Sequence, residues 1–209
     1  MSIDVSFYSS LPNIGAETSL TVVNDTPELD SMWLLDSFDS AKTFYITFTR
    51  KRSGKNTIDL SSTLFTTTNG KFASVSLDNL TKAVLQADPH TIILEHPDIL
   101  VSSGIITTDS LLSWLGNFAS QRLIVSLSIN SGMVDPQYAT AKATTKLVLS
   151  LLHQCNLQLK LSPLLTGHSN EYSGTLQVIR GPRTGPNLVE EKTYLFQPTQ
   201  TKVSIITRP

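Results

Sequence analysis

Three sets of residues in this sequence have side chains able to do chemistry. The first is Glu95-His96-Pro97-Asp98, which closes the apolar, β-branched run Thr91–Leu94 within TIILEHPDIL. A carboxylate at the end of a buried strand is where P-loop ATPases hold magnesium, so Glu95 reads as a degenerate Walker B position or a general base. The plainer alternative is an acid that caps neighbouring backbone or pairs with a base. His96 and Asp98 invite a metal reading, but no HExxH or paired-histidine motif supplies further ligands, and a turn around Pro97 accounts for both. The second set is His153 and Cys155. Two residues apart at a helix end, they do not face each other, and a buried, inert thiol fits better than a nucleophile. The third set is basic. Arg50, Lys51, Arg52 and Lys55 form a compact cluster, Lys142 and Lys146 lie four apart on one helical face, and Arg180 and Arg183 flank Gly181-Pro182. Such clusters are either solvated loops or sequence-blind, salt-sensitive contacts to a nucleic-acid backbone.

These residues need a sheet to position them. Thr91–Leu94 reads as a strand buried on both faces of a parallel sheet. Ser19–Val23 is a first strand and Thr43–Thr49 a second. Between them Thr26 as N-cap, Pro27 at the first helical position and the acids Glu28 and Asp30 predict a helix running to Phe38. Phe72–Val75 reads as a short strand, Leu77–Ala87 and Thr108–Ala119 as amphipathic helices, Leu123–Ile129 as a strand and Tyr138–His153 as a helix. Leu157, Leu159 and Leu161 alternate with polar residues, as in a strand with one wet face. Gly174–Arg180, Thr193–Phe196 and Val203–Thr207 continue as strands joined by Gly/Pro turns. The expected fold is α/β: one domain over residues 1–209, with a mostly parallel, helix-flanked sheet and a C-terminal β-meander.

The nucleotide chemistry such a sheet supports lacks its cradle. A P-loop needs G-x-x-x-x-G-K-[ST] between the first strand and first helix. Asn24–Asp30 stands there instead, without glycine or lysine and with Asp25, Glu28 and Asp30 to repel phosphate. Gly54-Lys55 is followed by Asn56 and lies after the second strand, so it is a false match.

A net charge of −1 gives no global attraction to nucleic acid, so binding must rest on local patches. The single cysteine excludes an internal disulfide. MSIDVSFYSS is not read as a signal peptide, and no apolar run approaches the ~18 residues of a membrane span. A soluble, intracellular protein is expected. Trp33, Trp114 and Phe44-Tyr45 offer apolar area for subunit contacts, which predicts a poor monomer.

TIILEHPDIL, LIVSLSIN and LSPLLTGHSNEYSGTLQVIRG together resemble the Elongator subunit 6 family of RecA/KaiC-like proteins. Leu164-Leu165-Thr166-Gly167, Ser173-Gly174-Thr175-Leu176, Val178 and Arg180-Gly181 carry the likeness most specifically. The likeness covers Thr91–Gly181 well and the first ninety residues in layout. It implies a RecA-like domain stripped of Walker motifs, without cofactor or catalysis. Its implied partners are subunits 4 and 5 in a hetero-hexameric ring, the rest of Elongator, and the tRNA whose wobble uridine is modified. Its implied location is the cytoplasm and the nucleus. It also implies that the loops after the central and following strands, Pro97–Thr107 and Asn130–Lys146, face the ring's pore, making Lys142 and Lys146 candidate RNA contacts ahead of Arg50, Lys51, Arg52 and Lys55. The competing readings are a degenerate ATPase acting at subunit boundaries and a recombination-type RecA paralogue.

Overall fold

The computed structural model describes residues 2–3, 19–26, 28–64, 67–68, 71–72, 75–128, 139–164, 171–184, 189–198 and 202–207. Along the chain these form β1 (Ser2–Ile3), β2 (Leu20–Asp25), α1 (Met32–Asp36), β3 (Thr43–Thr47), β4 (Thr57–Asp59), β5 (Thr67–Thr68) and β6 (Lys71–Phe72). There follow α2 (Leu77–Ala87), β7 (Thr91–Glu95), α3 (Asp98–Ser102), α4 (Thr108–Gly116), β8 (Arg122–Ser128) and α5 (Ala139–Gln154). The chain closes with β9 (Leu157–Ser162), β10 (Gly174–Arg180), β11 (Lys192–Pro198) and β12 (Lys202–Thr207).

Ten strands share one sheet in the order β1-β12-β11-β10-β9-β2-β8-β7-β3-β4, and β5 and β6 pair separately. From β9 to β4 neighbouring strands run parallel. From β9 to β12 they run antiparallel, which is the expected meander. Parallel neighbours need crossovers, and crossovers are right-handed. The step from β2 to β3 moves along the sheet toward the β4 edge, whereas the later steps that carry helices α2–α5, from β4 to β7, β7 to β8 and β8 to β9, move the opposite way. It therefore puts α1 on one face and α2–α5 on the other.

Two apolar clusters record that division. Val22, Ile46, Ile92, Leu94 and Val125 pack with Leu80, Val84, Leu111, Trp114, Leu147 and Leu151 on the α2–α5 face. Val23, Tyr45, Ile93 and Ile124 pack with Trp33, Leu34 and Leu35 of α1 and with the inner face of the meander. Alternation along β7 divides its side chains between both clusters, as a strand covered twice requires. On β9 the alternation leaves Lys160 exposed between buried Leu159 and Leu161. Gly181 accommodates the close approach of the chain before β9: a Cβ there would lie 2.2 Å from the Cys155 carbonyl oxygen.

Several boundaries differ from the sequence reading. The first helix is Met32–Asp36, not a run from Pro27 to Phe38. Leu29 N–H returns to the Thr26 carbonyl at 3.0 Å, making a turn that buries Leu29, and the Asp30 carboxylate accepts from Met32 N–H at 2.8 Å. Pro27 lies outside the described residues. So do residues 4–18, 73–74 of the expected Phe72–Val75 strand, Ile129 with the Asn130–Pro136 turn, and 165–167 of the Leu164–Gly167 motif. Trp33, Trp114, Phe44 and Tyr45 are 2–5% exposed, so they build the core and are not subunit surface. Among the described residues no helix is long and apolar enough to cross a membrane.

Candidate functional site

The chain leaves β2 toward α1 on one face of the sheet and leaves β8 toward α5 on the other. The carboxyl ends of these neighbours therefore diverge, and in open α/β sheets that crevice is where ligands bind. Polar side chains that the core cannot use collect here: Asp25, Ser31, Glu95, His96, Asp98 and Ser126 are all buried.

Asp25 ends β2. Ser31, beside α1, donates its hydroxyl to Asp25 Oδ2 at 2.6 Å, and His96 Nε2 lies 3.2 Å from the same oxygen. Glu95 Oε1 is 3.9 Å from His96 Nε2, and Asp98 Oδ1 is 3.7 Å from Nδ1. At 3.7 Å the last contact is too long for a hydrogen bond, so Asp98 acts on the ring through its charge. Among the described residues Nδ1 and Asp98 Oδ1 have no hydrogen-bond partner, nor have Asn24 Oδ1 and Thr26 Oγ1 on the β2 side. Burial opposes a charge on the imidazole. The hydrogen bond to Asp25 and the attraction of Asp98 outweigh it and push the pKa of His96 up to about 10. The ring is an imidazolium at neutral pH, enclosed by carboxylates.

The backbone is bent to place it. His96 has φ of 51°, a left-handed conformation uncommon outside glycine. Its N–H is held by Ser126, donating to the carbonyl at 3.2 Å and to Oγ at 3.1 Å. This is the turn expected around Pro97, and it delivers the chain into α3. The Pro97–Thr107 segment is thus half helix, contrary to its reading as a loop.

Glu95 is 1% exposed and is held by the β3–β4 connection. Oε2 accepts from the N–H groups of Phe48 at 3.1 Å and Thr49 at 3.0 Å, Oε1 accepts from the Thr49 hydroxyl, and Arg50 Nε is 3.9 Å away. The acid therefore caps neighbouring backbone, the plainer of its two readings.

The chemistry of this arrangement is limited. Protonated at neutral pH, His96 cannot accept a further proton there as a general base. Ser31 donates to Asp25 and not to His96, so the imidazole does not activate this hydroxyl. Among the described residues no three His, Cys, Asp or Glu side chains are placed to hold a metal ion. Cys155 is buried with its pKa pushed up to about 11 by burial, and its thiol donates to the Leu152 carbonyl at 3.2 Å, so it is inert as expected.

The basic loop differs from its sequence reading. Arg50 ion-pairs with Asp30, and Arg52 bonds Asp36 at 2.5 Å and Asp39 at 3.3 Å. The Arg52 guanidinium also lies 3.7 Å from the centroid of the Tyr45 ring, and the Arg52 backbone N–H donates to Asp59 Oδ2 at 3.1 Å. The loop is thus strapped to α1 and the chain flanking it. Lys51 and Lys55 are exposed and neither forms an ion pair among the described residues; Lys51 acts on Asp59 through its charge. Asp36 and Asp39 were not singled out as charge partners by sequence reading, and Tyr45 was read only as apolar surface. The signal was there, in the three acids Asp30, Asp36 and Asp39 preceding a basic run of opposite charge.

Lys142 and Lys146 lie on α5, with side chains on one exposed face, not in a loop. That face lines an open groove of about 510 Å³ with Ala141, Thr145, Leu149, Ser150 and His153. Lys146 pairs with Asp109 of α4 at 2.6 Å, whereas Lys142 makes no ion pair among the described residues. The structure does not bring Lys142 and Lys146 together with the Arg50–Lys55 loop in one patch of contacts. No protein-family model matches the chain, and no curated protein matches it significantly.

Proposed function

We propose that this chain is a non-catalytic RecA-like subunit of an Elongator-type ring, assembling with subunits 4 and 5 to bind tRNA for wobble-uridine modification. The observation that carries this reading is the Asp25–His96 pair at the crevice beside β2. A phosphate site at that strand end requires open backbone N–H groups and a cation facing outward. Here the strand ends in a buried carboxylate locked to a buried imidazolium, and Glu95 is occupied by the β3–β4 loop. A sheet of nucleotide-binding type whose ligand crevice is filled by its own side chains suits a scaffold.

In this reading RNA is held by phosphate contacts from lysines that make no ion pair among the described residues, Lys51, Lys55 and Lys142, with no base-reading pocket and no cofactor. The reading implies a protein of the cytoplasm and nucleus. Two measurements test it. Calorimetric titration of the isolated chain with ATP should show negligible heat, and micromolar affinity that disappears on Glu95→Gln would make it a nucleotide-binding subunit instead. Co-expression with subunits 4 and 5 should yield a ring containing this chain. A stable monomer that ignores both would end the assignment.

A further inference from the structure

The Arg50–Lys55 loop offers four cations, and two of them are already bound to acids. Asp30 holds Arg50, while Asp36 and Asp39 together hold Arg52, whose guanidinium also covers Tyr45. These carboxylates occupy the arginines much as phosphodiesters would, with charge-assisted bonds to a planar cation. The acids of these bridges are open to solvent: the side chains of Asp30, Asp36 and Asp39 are 40–49% exposed, as is Arg50 at 45%, while Arg52 lies flatter on the protein at 19%. Exposed pairs of this kind are weak and yield to competing charge.

We infer that the loop is a phosphate-backbone-binding element kept half masked by an acidic latch on α1 and its flanks. Lys51 and Lys55 make the first contact, and Arg50 and Arg52 join only when the latch acids are neutralised. The inference rests on the tRNA-binding reading above and adds its regulation. Without the latch, a four-cation loop would bind any RNA; with it, full affinity waits for a change at Asp30, Asp36 and Asp39.

The test uses the full chain in the assembled ring, titrated with tRNA across a range of salt. Counterion release makes the slope of log affinity on log salt a count of phosphate contacts, roughly 0.7–0.9 each. With the latch acids intact, Arg52→Gln should leave that slope unchanged, while Lys51→Ala with Lys55→Ala should flatten it. Asp36→Asn with Asp39→Asn should raise affinity by about two- to tenfold and steepen the slope by roughly one contact. Arg52→Gln in that background should take both gains back. Asp78→Asn with Asp88→Asn, two exposed acids bound to no arginine, controls for net charge. Asp39→Asn alone, beyond the end of α1, should give a smaller gain of the same sign and guards against loss of folding. If the opened latch gains nothing beyond the charge control, or Arg52→Gln already flattens the slope with the acids intact, the latch is wrong while the tRNA reading stands. If replacing Lys51 and Lys55 changes nothing, the loop does not touch tRNA and the latch falls, and if Lys142→Ala changes nothing either, the tRNA reading falls with it.

Discussion

Two acid–base groups lie near one end of this sheet, built from the same residue types and governed by different physics. Around His96, three carboxylates surround one imidazolium in a largely buried space, with Glu95 1% and His96 and Asp98 11% exposed at their side chains. Around Arg50 and Arg52, three exposed carboxylates meet two guanidiniums, and Arg50 Nε also lies 3.9 Å from the buried Glu95 that the first group shares. In the first group, desolvation makes every unpaired charge expensive, so the members hold one another in place. In the second, solvent and salt screen each pair, and the bonds can be exchanged. Burial, not composition, separates a structural cluster from a surface able to change partners.

The contrast is broken most directly at His96. His96→Asn keeps a residue that tolerates the left-handed backbone and removes the charge, leaving Asp25 and Asp98 buried without it. We expect a loss of about 3–5 kcal/mol in urea unfolding. A loss below about 1 kcal/mol would mean that water reaches the cluster.

The pH dependence sharpens the contrast next. A histidine titrates near 6.5 when unfolded, and the folded pKa of His96 is raised to about 10. Its contribution is therefore complete below pH 6.5 and is lost as pH rises toward 10. Stability should fall by a few kcal/mol over that window, and His96→Asn should remove most of the slope. The strap should contribute nothing to it, because aspartate and arginine keep their charges throughout.

A smaller effect is expected at the strap. Arg52→Ala should cost about 1–2 kcal/mol, the sum of exposed ion pairs and the contact with Tyr45. Raising salt to about 1 M should remove the ionic part of that difference while leaving the cost of His96→Asn nearly intact. The smallest effect is expected at Lys146, whose bridge to Asp109 joins two well-exposed side chains. Lys146→Ala should change stability by less than about 0.5 kcal/mol. A loss similar to that at Arg52 would show that α5 depends on this bridge more than its exposure implies.

The sequence by itself determined the elements whose signals are local. Leu77–Ala87 has a Ser76 cap and an apolar face on Leu80 and Val84, and it forms where its periodicity puts it. Thr107 caps α4, donor and acceptor lying within one helical turn. The alternation of Leu157, Leu159 and Leu161 assigned β9 its wet face because a strand's period is two. The missing phosphate cradle was equally legible, since a P-loop is a contiguous motif. Tertiary structure alone decided which partner each charge found. Leu29 bends the chain into a turn because α1 packs through it, overriding the cap at Thr26. Asp25 and His96 lie 71 positions apart in the sequence, and Arg52 reaches back across β3 to Asp36 and Asp39. An ion pair depends on distance and dielectric, and neither quantity exists until β2, β7 and β8 are side by side.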